Sequence, residues 1–233
     1  MHKFVENYKD GTRTPTPTMA SEQKTISNLR LSEDGSLSGT VEVFLKGDAA
    51  SGTHEWARNL TRDAQEDFVK NTLRFSGITG HGTIEKDDPT ALTDIYHYKI
   101  TIAKAEKFMK VSGSGAFYLY PWFGGGSVQS MVPSGIEETT PEESTCTNGT
   151  VIEQYTMVLP KKMKILSTPS KMKVANKVQS YEASYVLKAN TLTAKRLFED
   201  HTPTSVCSPE TIAEYNKFGE KVSDNLKEQV LYK

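Results

Sequence analysis

Met172-Lys173-Val174-Ala175-Asn176-Lys177-Val178-Gln179-Ser180-Tyr181-Glu182-Ala183-Ser184-Tyr185-Val186-Leu187-Lys188 is the heart of the stretch from Tyr155 to Phe198, whose reading decides the fold. Met172, Val174 and Val178, then Tyr181, Ala183, Tyr185 and Leu187, alternate with lysine, glutamate and serine. Side chains along a strand point to opposite faces in turn, so this is the period of a sheet with one wet face. The stretch opens with Met157-Val158-Leu159-Pro160, continues through Met163-Lys164-Ile165-Leu166, and runs on to Arg196. It reads as a meander of antiparallel strands, and no residue in it asks for chemistry.

Working outward, the chain has 233 residues, enough for one large β domain or two small ones. Hydrophobic residues make up 36% and charged residues 24%, with a mean hydropathy of -0.52, values that suit sheets with a solvated face. A net charge of -1 exerts no global pull toward nucleic acid or anionic lipid. No run reaches the ~18 apolar residues of a membrane span. Met1-His2-Lys3-Phe4 lacks the apolar run of a signal peptide, which predicts either a cytosolic protein or an export signal encoded further upstream. Cys146 and Cys207 make neither a disulfide framework nor a zinc site, and leave one bridge and two free thiols both open.

N-terminal to the deciding stretch, residues 2–8 have the look of a strand entering the turn Lys9-Asp10-Gly11-Thr12, and the prolines of Thr14-Pro15-Thr16-Pro17-Thr18 keep that segment extended. Ile26 to Leu31 and Leu37 to Leu45 flank Glu33-Asp34-Gly35-Ser36, where the Asp-Gly pair supplies the positive φ angles of a hairpin turn. Lys46 to Gly52 breaks the strand. Thr61 then caps a helix over about 62–75, ended by Gly77, with Leu60, Ala64, Phe68 and Leu73 as its apolar stripe. That helix is expected to lie on the hairpin's sheet and cover it. Alternation returns with Tyr96, Tyr98, Ile100 and Ile102, and Lys107 to Val111 and Ala116 to Phe123 read as further strands.

Residues 129–150 are poor in apolar side chains and carry Glu137, Glu138, Glu142 and Glu143. They form an acidic linker or long loop between a β-rich half, 1–128, and a second half, 151–233. In the second half Ser208-Pro209-Glu210 starts a helix over about 209–228, striped by Ile212, Tyr215, Val222 and Leu226, and Val230 to Tyr232 closes the chain as a strand. The expected class is mainly β within α+β, with antiparallel, sandwich-like sheets and one amphipathic helix in each half.

Residues that could carry chemistry are few. Asp200, His201 and Cys207 supply the types of a cysteine nucleophile with an oriented base, but they sit in one Thr/Pro/Ser-rich loop, whereas catalytic Cys and His are usually distant in sequence. His54, His81 and His97 lack metal-ligand spacing. The run Phe117 to Phe123, followed by Gly124-Gly125-Gly126, offers Tyr118, Tyr120 and Trp122 as a speculative ligand-binding set, because Tyr and Trp join apolar area to a polar handle; packing into a core is the competing reading. Between 151 and 198 nine Lys or Arg face two Glu, a local balance of +7, yet no nucleic-acid module accompanies that basic face. No catalytic residue, metal or cofactor is assigned.

Thr14-Pro15, the run Leu31 to Gly39, Gly47-Asp48-Ala49-Ala50, Arg58, Leu159-Pro160, Tyr181, Tyr185, Arg196, Ser208-Pro209 and Tyr215 follow one another in an order shared with a known group of proteins. Nearly the whole chain resembles the β-rich region of unknown function that follows the transglutaminase-like, cysteine-protease-like domain of large exported bacterial proteins. It departs from that pattern in carrying its glutamates where the family has an Arg-Pro before the Leu-Pro strand. The resemblance implies a non-catalytic accessory or scaffolding module whose partner is an upstream transglutaminase-like domain carrying the catalytic Cys, His and Asp. It implies a periplasmic or extracellular location. A free-standing module that binds a protein or a cell-wall polysaccharide is the alternative, and a cysteine hydrolase using Cys207 and His201 a further one. None of these readings involves nucleic acid or a membrane span.

Overall fold

The computed structural model describes residues 21–91, 93–119, 123, 127–132, 144–146, 148–204 and 206–233. The expected strand at residues 2–8, the Thr-Pro lead-in and the glutamates of 137–143 lie outside the described residues, as do Tyr120 and Trp122. The protein is mainly β, as the alternation predicts. In chain order the first half holds β1 (Ser21–Leu31), β2 (Leu37–Lys46), α1 (Asp48–Asn59), α2 (Arg62–Phe75), β3 (Thr79–Lys86), β4 (Ile95–Glu106), β5 (Gly115–Phe117) and the single turn α3 (Val128–Met131). The second holds β6 (Ser144–Thr145), β7 (Gly149–Val158), β8 (Ile165–Ser167), β9 (Met172–Ala175), β10 (Gln179–Lys188), β11 (Thr191–Asp200), β12 (Val206–Cys207), α4 (Pro209–Leu226) and β13 (Val230–Tyr232).

Among the described residues an eight-stranded sheet runs in the order β3-β4-β2-β1-β7-β11-β10-β9. Six of its seven neighbouring strand pairs are antiparallel. The exception is the β1–β7 pair, which is parallel, in register from Ser21 opposite Gly149 to Arg30 opposite Val158. That one pair joins the two halves of the chain into a single sheet. The rest of the strands form a three-stranded sheet, β5-β13-β8, and the small pair β12-β6.

Register carries the alternation across the whole sheet. Tyr98, Val43, Thr25, Glu153, Arg196, Ala183 and Met172 stand side by side on seven successive strands. They belong to the inner face, with Leu45, Ile100, Tyr155, Tyr181 and Phe198 also buried there. One residue along, His97, Phe44, Lys24, Ile152, Leu197, Glu182 and Lys173 make the corresponding row on the outer face. Every large side chain buried on the inner face stabilises the fold by roughly 1.5–3 kcal/mol.

The hairpin β1–β2 forms where expected, from Glu22 opposite Lys46 to Leu31 opposite Leu37. Its turn is longer than a two-residue one. Only Gly35 takes the left-handed conformation, at φ 79, while the Asp34 carboxylate accepts from the Ser36 amide at 3.0 Å. A Cβ on Gly35 would also lie 2.1 Å from the Met109 carbonyl oxygen, so both the dihedral and the neighbour demand glycine there.

Helix α2 begins at Thr61, whose side chain accepts from the Ala64 amide, and α4 begins at Ser208 with Pro209 following, both as the capping residues predict. Helix α2 lies on the hairpin's own sheet, as expected, but over its β3 end. Helix α2 packs Val69 and Leu73 against β3 rather than against the hairpin, and gets close because Gly82 and Gly80 have no Cβ to obstruct those side chains. The hairpin is covered instead by α1, in the segment expected only to break the strand, so the first half carries two amphipathic helices where one was expected. Trp56 of α1 bridges them, its ring 5.4 Å from Phe68 and 5.9 Å from Tyr98. Lys107 to Val111 is not a strand either, because Lys107 turns to φ 50 and ends β4. No helix among the described residues is long and apolar enough to cross a membrane.

Candidate functional site

In-facing positions of β7 are Val151, Glu153, Tyr155 and Met157, and those of β11 are Leu192, Ala194, Arg196 and Phe198. Antiparallel pairing sets Glu153 directly opposite Arg196. Both are buried, at 1% and 4% exposure, and their side chains meet at 3.1 Å between Arg196 Nη1 and Glu153 Oε2. A buried ion pair is tolerable only when its remaining hydrogen-bonding capacity is met. Here Glu153 Oε1 accepts from the Val128 amide at 2.8 Å, and Oε2 accepts from the Tyr155 hydroxyl at 3.0 Å. Arg196 Nη1 also donates to the Leu119 carbonyl at 3.0 Å, and Nε donates to the Tyr185 hydroxyl oxygen at 3.1 Å. The guanidinium lies 5.7 Å from the ring centres of both Tyr155 and Tyr185, within cation–π range.

The network extends to α4. Tyr181 donates to Asn225 Oδ1 at 3.0 Å, Tyr185 points at the same oxygen at 3.5 Å, and Asn225 Nδ2 donates to the Ser170 carbonyl at 2.9 Å. Burial and then the Glu153 charge push the Tyr155 phenol well above its ordinary value. Burial and then Tyr185 raise Tyr181. Burial by itself would lower the Arg196 guanidinium, but Glu153 and the tyrosines beside it reverse the direction and raise it. The guanidinium therefore stays charged and the Tyr155 and Tyr181 phenols stay protonated, an arrangement that fixes geometry.

The pair thus holds Leu119 and Val128, which come together on it from either side of positions 120–127. Tyr120 and Trp122 of the aromatic set fall in that interval, and Tyr118 just before it. Of that set Tyr118 is described and is 55% exposed; Tyr120 and Trp122 are outside the described residues.

The three residues Asp200, His201 and Cys207 are each committed elsewhere. Cys207 is bonded to Cys146, with Cα atoms 5.7 Å apart, which ties β12 to β6. Buried Asp200 accepts from Gln179 Nε2 at 3.0 Å, from the Thr202 amide at 2.9 Å and from Tyr215 at 3.4 Å. Burial, followed by Asp200, raises the Tyr215 phenol. His201 is exposed and donates its amide to the Val178 carbonyl at 2.8 Å.

The remaining histidines are scattered as their spacing predicts. His54 meets the Pro89 carbonyl at 2.9 Å and lies in a shallow hollow of about 460 Å³ with Lys46, Ser51 and Asp94. His97 stacks on Phe44 with ring centres 4.5 Å apart, and His81 is exposed on β3. Among the described residues no group of three or more His, Cys, Asp or Glu could hold a metal ion.

Tyr181, Tyr185 and Arg196 build and hold the sheet, in line with their sequence reading. Glu153 was not singled out by that reading. Its signal was present in Val151-x-Glu153-x-Tyr155-x-Met157, where a carboxylate interrupts an otherwise apolar alternate row.

Together these features define a sheet module with one buried polar keystone. Residues 147–232 match the family model described as Domain of Unknown Function with solved-structure structure (DUF3858), so that domain occupies the second half of the chain. Neither a curated protein nor a solved structure matches the chain. The matched region contains both members of the ion pair, whereas Leu119, Val128 and the β1 partner of β7 lie outside it.

Proposed function

We propose that this chain is a non-catalytic accessory module that scaffolds a transglutaminase-like domain or helps present its substrate at the bacterial periplasm or cell surface. The observation that carries the reading is the eight-stranded sheet itself. One face is committed to a single core, and the other turns to solvent across seven strands, a stiff platform of mixed apolar and charged side chains. His97 and Phe44 are stacked at 4.5 Å, Lys24 lies 6.0 Å from the Phe44 ring centre, and Lys173 meets Glu182 at 3.2 Å, so the platform is ordered before any partner arrives. The order of motifs shared with the region behind transglutaminase-like cores supports the choice of partner. The bond between Cys146 and Cys207 supports an oxidising compartment, where such bonds persist.

The test is to incubate the purified chain with a glutamine-bearing protein and a primary amine, and separately with peptide substrates. The reading expects neither cross-linking nor hydrolysis. Turnover abolished by Cys207→Ala but kept by Cys146→Ala, which frees the Cys207 thiol, would establish the cysteine-hydrolase alternative instead. A binding module for a protein or cell-wall polysaccharide is the second reading, favoured by the exposure of Tyr118 beside Leu119, whose carbonyl Arg196 holds. Titrating cell-wall glycans while following tryptophan fluorescence separates the two, since a saturable shift supports the second reading and its absence with every glycan removes the sugar version.

A further inference from the structure

The three-stranded sheet turns Phe117, Val230 and Tyr232 inward, all of them buried. Its alternate residues point to solvent, and unusually many are apolar. Leu166 is 57% exposed and Leu231 43%, and Tyr118, one residue beyond β5, is 55% exposed. Pairing places Ala116 opposite Leu231, and reciprocal backbone bonds of 2.8 and 2.9 Å place Lys164 opposite Lys233. Since Lys164 stands two residues from Leu166, and Lys233 two from Leu231, both lysines share the outward face with the apolar strip. The strip thus ends in two ammonium groups on neighbouring strands.

Like charges directly opposite each other on a sheet are destabilising, and neighbouring acids would normally offset them. Among the described residues no carboxylate lies within ion-pair distance of Lys110, Lys164 or Lys233. The nearby acid is occupied: Glu228 accepts from the Ser170 amide at 2.6 Å. The segments 107–119, 161–170 and 227–233 that build this sheet hold seven lysines and one glutamate, in a chain whose net charge is only -1. These lysines flank the strands rather than lie within them, and Lys227 is paired with Asp224 at 3.7 Å, which leaves Lys164 and Lys233 at the end of the apolar strip.

We propose that the outer face of the β5-β13-β8 sheet is a docking surface for an acidic protein segment that alternates apolar and carboxylate side chains. The apolar side chains would cover Tyr118, Leu166 and Leu231, and the carboxylates would neutralise Lys164 and Lys233. A contiguous exposed apolar strip with a polar border is the usual mark of a protein contact. A polyanion without apolar groups would leave the strip wet, so charge attraction and apolar burial select the same partner only when it carries both. The proposal rests on this surface alone and does not depend on the transglutaminase-like parentage.

The experiment uses the full chain and a fluorescently labelled nine-residue peptide of alternating Glu and Leu, followed by anisotropy at physiological salt. Saturable binding is expected. Leu231→Asp and Lys164→Glu are each expected to weaken it at least tenfold, and a labelled glutamate nonamer is expected to bind at least tenfold more weakly than the alternating peptide. Lys70→Glu, at an exposed position of α2, should leave binding unchanged. Leu166→Ser serves in place of Leu231→Asp if circular dichroism shows that the latter is unfolded. No binding of the alternating peptide, binding unaffected by these substitutions, or equal binding of the glutamate nonamer would overturn the proposal. So would binding of phosphatidylglycerol vesicles, but not of the peptide, that the same substitutions abolish, since the surface would then be a lipid-headgroup site.

Discussion

Arg196→Met tests the keystone most sharply, because it removes one charge from a pair that is almost wholly buried. Glu153, 1% exposed, would keep its carboxylate on the inner face with the Val128 amide and the Tyr155 hydroxyl as donors but no counter-charge. The Leu119 carbonyl would lose a donor and Tyr185 the guanidinium it faces. Breaking a buried pair from one side costs about 3–5 kcal/mol. For a chain of this length each kcal/mol lowers the melting temperature by about 2–4 °C, so a fall of about 10 °C is expected. Glu153→Met should cost a similar amount for the mirror-image reason. The double variant is the informative one. It carries no uncompensated charge, so it should cost no more than either single change, its remaining loss coming from the unpaired Val128 amide and Leu119 carbonyl at about 1–3 kcal/mol each. Guanidinium unfolding of all four proteins, followed by circular dichroism, gives the coupling energy. Additive losses in the double variant, or a loss below about 1 kcal/mol in Arg196→Met, would refute the reasoning.

Further expectations concern other parts of the fold. Reducing the bond between Cys146 and Cys207, which are 61 residues apart, should destabilise the chain by about 4 kcal/mol on a chain-entropy argument, read as a lower guanidinium midpoint with reductant; the unreduced native chain should titrate no free thiol. Gly35→Ala should cost about 2 kcal/mol or more, because the left-handed backbone and the Met109 carbonyl both oppose a Cβ, whereas Gly52→Ala, in open space on α1, should be neutral or stabilising in the same thermal melt. Tyr155, Tyr181 and Tyr215 have phenols raised by the folded state, so the stability they contribute is intact below about pH 10 and is lost as pH rises further toward their folded values. An ultraviolet titration of the native chain should show these three phenols ionising above the ordinary phenol range, together with alkaline unfolding.

Much of this fold is written in local patterns, and what escapes the sequence escapes for identifiable reasons. Strands β1, β2, β4, β10 and β11 announce themselves because one face is wet and the other dry, which is what alternation reports. Helices α2 and α4 announce themselves through Thr61 and Ser208, whose oxygens satisfy free amides at the helix start. Helix α1 does not, since it starts at Gly47 without a side-chain cap and buries only Ala50 and Ala57, too little apolar surface to mark a face. Strand β3 is hidden by Gly80 and Gly82, residues that lower strand propensity but let α2 approach. The parallel join of β1 to β7 links residues far apart in sequence, and no local propensity encodes it. At the keystone, Arg196 and the tyrosines were visible as sheet residues, but their meeting with Glu153 depends on register between β7 and β11, and the clasp on Leu119 and Val128 depends on tertiary packing alone. The exposed strip on the small sheet was likewise invisible, because β5, β8 and β13 are three residues long and their outward faces combine only in space.

Both halves share one sheet and one core through the β1–β7 pair, which makes the platform a single rigid unit. Native-state hydrogen exchange read by mass spectrometry across a guanidinium series tests it directly. The amides of Ser21–Leu31 and Gly149–Val158 should lose protection in one cooperative step at a common midpoint. Loss of protection in β1 at a clearly lower guanidinium concentration, with β7 still protected, would contradict it.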